Sequence, residues 1–200
     1  MTTGILTIFN DCRADRLDEY EAWYRDEHLP ERLSIPGIRR GRRYIAAGEG
    51  TTYFTYYETD TPEVLTSPVY LERLENPTPR THAIMTGSFL NMNRTICRVA
   101  ARKGRLRGAW AVVQQLDAVP DVNLAKLVIE RGVARAEIWE SAQAPEATDS
   151  AEARLRGGDR TMGACLFIET LQRADAEWLE RQFPGAMVYQ FLCEMTEETG

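Results

Sequence analysis

The feature that most constrains the fold of this 200-residue chain is an order of secondary-structure elements that occurs twice. In the first half, a helix from about Leu17 to Pro36-Gly37 and a proline-broken helical region over 61–87 separate β-prone runs at 4–11, 38–48, 52–60 and 89–101. In the second half, helical patterns at 121–132 and 174–185 separate β-prone runs at 108–117, 133–141, 162–171 and 187–198. Both halves therefore have the order β-α-β-β-α-β.

This order is that of the split βαβ, or ferredoxin-like, unit, a four-stranded antiparallel sheet with two helices on one face. The other face of such a sheet is apolar and has to be covered, either by the second unit or by another chain. We predict an α+β fold in which two tandem ferredoxin-like units, residues 1–103 and 104–200, pack as an α+β barrel that pairs further into a homodimer. The polar segment 142–161 is predicted to be a mobile surface loop.

The composition argues against several classes of protein. The formal net charge of -6 argues against a general nucleic-acid binder, which would need a basic surface. The longest apolar runs fall short of the roughly 20 residues that cross a bilayer. The four cysteines are far apart and show no metal-ligand spacing, and the N-terminus has no pattern of a signal peptide. We therefore expect no metal, no membrane association and a location in the reducing cytoplasm.

His28 is the strongest candidate for chemistry in the first helix. Tyr20, Tyr24 and His28 are spaced by four residues, so one helix face should turn all three toward the sheet. Burial would favour the neutral imidazole, which is suited to accept or donate a proton. The structural alternative is that His28 hydrogen-bonds a backbone carbonyl left free by Pro30, which has no N–H, and so fixes the helix end.

The stretch "YEAWYRDEHLPERLSIPGIRRGRRYIA" resembles the dimeric α+β barrel superfamily and, more narrowly, its EthD-like branch. In that branch an aromatic residue, an acidic-x-His-x-Pro run and an "IPG" entry into the second strand follow one another, as Trp23 and Tyr24, residues 26–30 and residues 35–37 do in this chain. The resemblance implies a small-molecule cavity under the sheet. The second half has no His-x-Pro run, so we expect at most one competent site in each chain.

The predicted site contains eight residues. His28 and Tyr24 come from the first helix, and His82 from the broken helical region could complete an acid–base pair; these three are the catalytic candidates. The substrate-binding candidates are aromatic side chains, which suit an apolar ligand, and strand arginines, which could hold a carboxylate or enolate oxygen: Trp23, Arg40, Arg42, Tyr44 and Tyr57. The alternatives are a surface histidine at 82, an exposed basic strand start and core tyrosines.

The predicted function is proton-transfer chemistry without an organic cofactor, as in an isomerase, cyclase or lyase that acts on a small apolar, aromatic or polyketide-like compound. A cofactor-free monooxygenase is an alternative that the resemblance also implies. A non-catalytic, small-molecule-binding or stress-related accessory protein is an alternative of another class. A haem would need an axial ligand, for which either histidine could serve, and no other feature of the sequence supports it.

Overall fold

Eight antiparallel strands form a closed barrel in the computed structural model of the protein, which describes residues 2–142 and 149–197. The first half contributes β1 (Gly4–Cys12), β2 (Ile38–Ala46), β3 (Tyr53–Thr59) and β4 (Phe89–Gly104). The second half contributes β5 (Trp110–Leu116), β6 (Val133–Ser141), β7 (Ala164–Thr170) and β8 (Met187–Thr196). All eight predicted strands are therefore present; the last residue predicted for β8, 198, lies outside the described residues.

The strand order around the barrel is β1-β3-β2-β8-β5-β7-β6-β4. Within each half the order is fourth-first-third-second, which is that of the ferredoxin-like unit. The two halves meet where β2 pairs with β8 and where β4 pairs with β6, so each sheet covers the other within one chain. The predicted fold class is confirmed. The predicted boundary at residue 103 falls at the end of β4, and the division into two domains remains a prediction.

The helices pack on the outside of the barrel. In the first half they are α1 (Leu17–Trp23), α2 (Leu29–Leu33), α3 (Pro68–Glu75) and α4 (Pro79–Gly87), with short 3₁₀ turns at Ala14–Arg16 and Pro62–Thr66. Pro62, Pro68 and Pro79 each lie at the start of a helical piece, where a missing N–H costs no helical hydrogen bond. The prediction of a broken helical region over 61–87 is therefore confirmed.

The second half has α5 (Leu124–Leu127), α6 (Ala151–Leu155) and α7 (Arg173–Glu180). The helix predicted over 121–132 was too long, because the chain leaves the helix at Val128 and Ile129 points into solvent. The prediction of a surface loop at 142–161 was wrong for Ala151–Leu155, which form α6 with Ser150 as its cap and Glu152 buried. Residues 157–161 are non-helical and mostly exposed, and residues 143–148 lie outside the described part.

Three hydrophobic clusters fill the molecule. The barrel interior is mostly aromatic, with Phe9, Tyr44, Phe54, Tyr56, Trp139 and Phe167 among its members. The layer between the second sheet and its helices is aliphatic, with Leu124, Ile168 and Leu179. The layer between the first sheet and its helices contains Tyr20, Trp23, Tyr24 and Tyr57 and surrounds His28. No helix among the described residues is long and apolar enough to cross a membrane.

Candidate functional site

A π-helical turn, Tyr24–His28, joins α1 to α2 and positions His28. In this turn the Leu29 N–H donates to the carbonyl of Tyr24, five residues earlier. Pro30 follows directly and has no N–H for the carbonyl of Asp26, which accounts for a turn wider than that of an α-helix at this point. Because π-turns inside helices frequently occur at functional sites, this turn supports a functional role for the region.

The His28 ring is buried among aromatic rings. It stacks on Trp23 with ring centroids 4.2 Å apart and meets the Tyr24 ring edge-on at 5.2 Å. The Trp23 indole N–H donates to the Thr81 hydroxyl at 3.0 Å, and that hydroxyl donates to Glu27 at 2.9 Å. Glu27 also accepts a hydrogen bond from Thr78, the residue that caps α4. The acid next to His28 in the chain thus anchors α4, which holds Trp23 against the histidine.

A small cavity of about 20 Å³ lies beside His28, between the first sheet and its helices. One part of its wall is apolar and comes from β1, α3, α4 and β4: Leu6, Ile8, Leu74, Met85, Phe89 and Met92. The other part is aromatic, polar or charged: Tyr24, His28, Arg32, Tyr57, Tyr70, Arg94, Glu152 and Arg156. A volume of this size accommodates about one water molecule, far less than the roughly 300–1,000 Å³ of ordinary ligand pockets.

The charged wall of the cavity is an ion-pair network that links the two halves of the chain. Arg32 on α2 donates a hydrogen bond to Glu152 on α6, and both side chains are almost fully buried. Arg156 lies 3.6 Å from Glu152 and pairs at 2.7 Å with Asp159. Arg94 on β4 donates to the Tyr70 hydroxyl at 2.8 Å. Three guanidinium groups therefore share this wall with one carboxylate.

Three buried polar atoms in the cavity wall have no hydrogen-bond partner within the described part of the chain. They are Nδ1 of His28, Nη1 of Arg32 and the hydroxyl of Tyr57. A buried polar group without a partner costs roughly 1–3 kcal/mol, and native structures contain only a few. Three such atoms in the wall of one cavity make it the candidate site, because a water or a polar ligand there would supply the missing partners.

Burial, followed by the positive charges of Arg32, Arg156 and Arg43, lowers the pKa of His28 well below the ordinary 6.5. The imidazole is therefore neutral near pH 7, with one ring nitrogen able to accept a proton. Burial alone would lower the pKa of Arg32 as well, but Glu152, together with Tyr70, Glu31 and Tyr57, more than offsets this, so that the pKa of Arg32 is raised. A neutral base and a permanent cation thus lie side by side.

The eight predicted site residues fall into separate places. Trp23, Tyr24, His28 and Tyr57 lie together between the first sheet and its helices. Successive side chains of a strand alternate between the two faces, so Arg42 and Tyr44 project into the barrel instead, where Arg42 donates to the Tyr44 hydroxyl at 2.9 Å and pairs with Glu169 at 3.3 Å.

Arg40 lies at one end of the barrel with Glu58 and Glu194. The sheet therefore separates both predicted arginines from His28. The β2 arginine on the His28 side is Arg43, whose guanidinium lies 3.8 Å from the centre of the Tyr24 ring and 2.7 Å from Glu21.

His82 does not join His28. It lies on the exposed face of α4, so the two histidines form no acid–base pair in this structure. Neither histidine lies beside a haem-sized space among the described residues, because the cavity at His28 is far smaller than a haem and His82 faces solvent. The cofactor state remains a prediction. Across 2–142 and 149–197, no group of three or more His, Cys, Asp or Glu side chains could hold a metal ion.

Sequence reasoning did not find the charged part of the cavity wall. Arg32 follows His28 by one helical turn, and Arg94 is a charged residue in an otherwise buried run of β4. Glu152 and Arg156 have the four-residue spacing of an intrahelical ion pair, but they belong to a segment that looked like a surface loop. The charged residues themselves are visible in the sequence. The contact between α2 and α6 is not, because it joins residues 120 positions apart and leaves no local pattern.

Comparisons with known proteins give similarity of structure only. No protein-family model matches the chain, and no curated protein matches it in sequence. An anthrone oxidase-like protein of known structure is similar to it over 99% of this chain and 94% of that one, with a TM-score of 0.67 and 10% identity. A candidate monooxygenase from Fusobacterium nucleatum subsp. nucleatum ATCC 25586 covers 100% and 96%, with a TM-score of 0.59 and 10% identity.

A candidate chlorite dismutase covers 96% of both chains, with a TM-score of 0.56 and 10% identity. At this level of identity the similarity establishes the fold and not the activity, and the EthD-like branch remains a prediction. The closed barrel, its strand order and these three structures agree, and they show that the chain has the fold of the dimeric α+β barrel superfamily.

Proposed function

We propose that this protein is a small-molecule enzyme that moves a proton to or from carbon at His28. The observation that carries the proposal is the cavity in whose wall His28, Arg32 and Tyr57 each have a polar atom without a partner in the described chain. A base, a cation and a hydroxyl are the groups that carbon deprotonation needs, because the negative charge that develops on the substrate oxygen must be stabilised.

His28 supplies the base in this proposal, Tyr57 donates to the oxyanion, and the positive charge of Arg32 holds the anionic substrate beside both. The low pKa of His28 makes it a weak base in the protein alone, since burial and nearby cations disfavour the imidazolium. A negatively charged substrate bound beside Arg32 would counter those cations and raise the pKa of His28 toward neutrality. Substrate binding would therefore strengthen the base at the moment when it is needed.

The fate of the carbanion decides the reaction class. Return of the proton to another carbon gives an isomerisation, and loss of a leaving group gives an elimination; neither needs an organic cofactor. Reaction with O₂ would give a carbonyl product and water, which is a cofactor-free monooxygenase reaction. The names of two structurally similar proteins, an anthrone oxidase-like protein and a candidate monooxygenase, favour keeping this second function.

The test is exchange of carbon-bound hydrogen for deuterium. A panel of small carbon acids that carry a carboxylate, beginning with phenylpyruvate, is incubated with the protein in D₂O and followed by proton NMR. The wild type should accelerate exchange over buffer, and His28→Gln should lose this acceleration by about 10²-fold or more. An oxygen electrode in the same experiment separates the two reaction classes.

Equal exchange rates for wild type and His28→Gln would contradict the role of His28. Absence of exchange across the panel, together with ligand binding, would contradict an enzymatic function and favour the non-catalytic binding protein. The homodimer and the cytoplasmic location remain predictions, and sedimentation velocity tests the first of them.

A further inference from the structure

We infer that the ligand of the His28 cavity is a small carboxylate with an apolar body, and that its carboxylate replaces that of Glu152 on Arg32 when α6 moves away from the cavity. We rest this inference on the proposed function, to which it adds the class of ligand and the route by which the ligand enters the cavity. The volume of the cavity, about 20 Å³, is too small for any organic substrate. Some part of the wall has to move, and its composition indicates which part.

The part most easily moved is the segment that carries Glu152 and Arg156. Helix α6 has five residues, and Gly157 and Gly158 follow it closely. Both glycines have positive φ, +82° and +94°, and a side chain at either position would meet open space. Beyond them, Arg160 is fixed to β4 by backbone hydrogen bonds with Met92 and Arg94. Two glycines, whose N–H groups cap α6 by donating to Arg154 and Ala153, thus lie between the short helix and a firm anchor on the barrel, and the lack of side chains there gives the backbone room to turn.

Helix α6 is held over the cavity by the packing of Ala153 and Leu155 and by polar contacts on two sides. On the solvent side, Glu75 of α3 accepts from the Ala151 N–H at 3.0 Å and pairs with Arg154 at 3.1 Å. Exposed pairs of this kind contribute little stability. On the cavity side, the main attachment is Arg32–Glu152. Opening α6 therefore requires, above all, something that replaces Glu152 as the partner of Arg32.

A carboxylate of the ligand meets that requirement. A buried guanidinium that loses its carboxylate is costly unless another anion takes the place, and a guanidinium binds carboxylates in a planar, two-pronged geometry. Arg32 already has Nη1 without a partner in the described chain, so a ligand carboxylate could bind both Nη1 and Nη2. The Tyr57 hydroxyl, also without a partner among residues 2–142 and 149–197, stays available for the substrate oxygen on which negative charge develops.

The apolar part of the wall fits the body of such a ligand. Six apolar side chains from β1, α3, α4 and β4 face the charged groups across the cavity. Two of them, Met85 and Met92, are flexible and adapt to different shapes. Withdrawal of the Glu152 and Arg156 side chains would leave a space with one cationic end and apolar walls, and His28 would lie beside both.

The test uses benzoate as the probe, with binding measured by calorimetry and by the tryptophan fluorescence of the protein, to which Trp23, stacked on His28, contributes. Glu152→Gln should bind benzoate about tenfold more tightly than the wild type, because apparent affinity rises with the fraction of molecules in which the binding-competent state is populated. Arg32→Met combined with Glu152→Met, which removes both charges together, should lose binding. Glu177→Gln, in an exposed ion pair on α7, is the matched control and should bind as the wild type does.

Hydrogen–deuterium exchange of the wild type provides a second readout that does not depend on any variant folding. Benzoate should increase exchange of the amides in 149–157 and leave α7 unchanged. Benzoate affinity that is unchanged or weaker in Glu152→Gln would overturn the inference, as would retained binding in the double variant or unaltered exchange in α6. His28→Gln should still bind benzoate, so a failure of proton transfer and a failure of carboxylate binding give different results.

Discussion

Replacement of His28 by leucine should make the protein less sensitive to acid. The pKa of His28 in the folded protein lies well below 6.5, because the ring is buried and Arg32, Arg156 and Arg43 are close. In the unfolded chain it returns to about 6.5. As the pH falls below that value, the unfolded state takes up a proton that the folded state does not, so acid favours unfolding. The stability that the protein has with His28 neutral is therefore fully present above pH 6.5 and is lost as the pH falls.

The size of this effect follows from the linkage relation for one group. If the folded protein takes up no proton at His28, lowering the pH from about 7.5 to about 5 costs roughly 2 kcal/mol of stability, and each further pH unit costs about 1.4 kcal/mol until the folded pKa is reached. His28→Leu has no such pH-dependent loss of stability. The effect of the substitution on packing is the same at every pH, so it does not alter the slope of the free energy of unfolding against pH.

The assay is urea unfolding followed by tryptophan fluorescence at a series of pH values for wild type, His28→Leu and His82→Gln. The free energy of unfolding should fall more steeply with acid in the wild type than in His28→Leu, by the difference given above. His82→Gln replaces an exposed histidine and should keep the wild-type slope. Parallel curves for wild type and His28→Leu would refute the claim that the buried imidazole is held neutral.

Two further predictions concern the residues that position the site. Glu27→Ala removes the acceptor shared by Thr78 and Thr81 and should lower the free energy of unfolding by about 1–3 kcal/mol, whereas Glu27→Gln, which keeps an acceptor oxygen, should lose less in the same urea assay. Arg43→Lys loses the contact with the Tyr24 ring and the two hydrogen bonds to Glu21, and thermal unfolding should show a loss of about 1–2 kcal/mol in the free energy of unfolding. The control Arg39→Lys, in an exposed cluster, should lose under about 1 kcal/mol. Equal losses would contradict the structural role of Arg43.

The fold could be predicted from the sequence to a considerable extent, because its strands carry local signals. β-prone runs mark all eight strands in the sequence. They include β8, which pairs with β2 and helps to close the barrel. The helical pattern over 121–132 misled, because its apolar spacing is not matched by burial: Ile129 is 81% exposed. A hydrophobic pattern predicts a helix only where a surface exists for that face to cover.

The candidate site was predicted only where one element determines it. The spacing of Tyr24 and His28 is a property of one helix, so their burial could be expected. Which face of β2 points into the barrel could not be predicted, because the alternation of its arginines does not reveal whether Arg40 and Arg42 or Arg39 and Arg43 lie on the inner face. Glu152 meets Arg32 only after two distant parts of the chain have folded together. Pairing of that kind leaves no trace in local sequence patterns.

The position of a bound carboxylate tests most directly whether the His28 cavity is a ligand site that opens at α6. Crystals of Glu152→Gln soaked with 4-bromobenzoate would locate the ligand by the anomalous signal of bromine. We expect a carboxylate on Arg32 beside Tyr57 and His28, bromine near Met85 and Met92, and α6 displaced. A ligand bound elsewhere, or a cavity that stays closed with the side chain of residue 152 still on Arg32, would contradict this expectation.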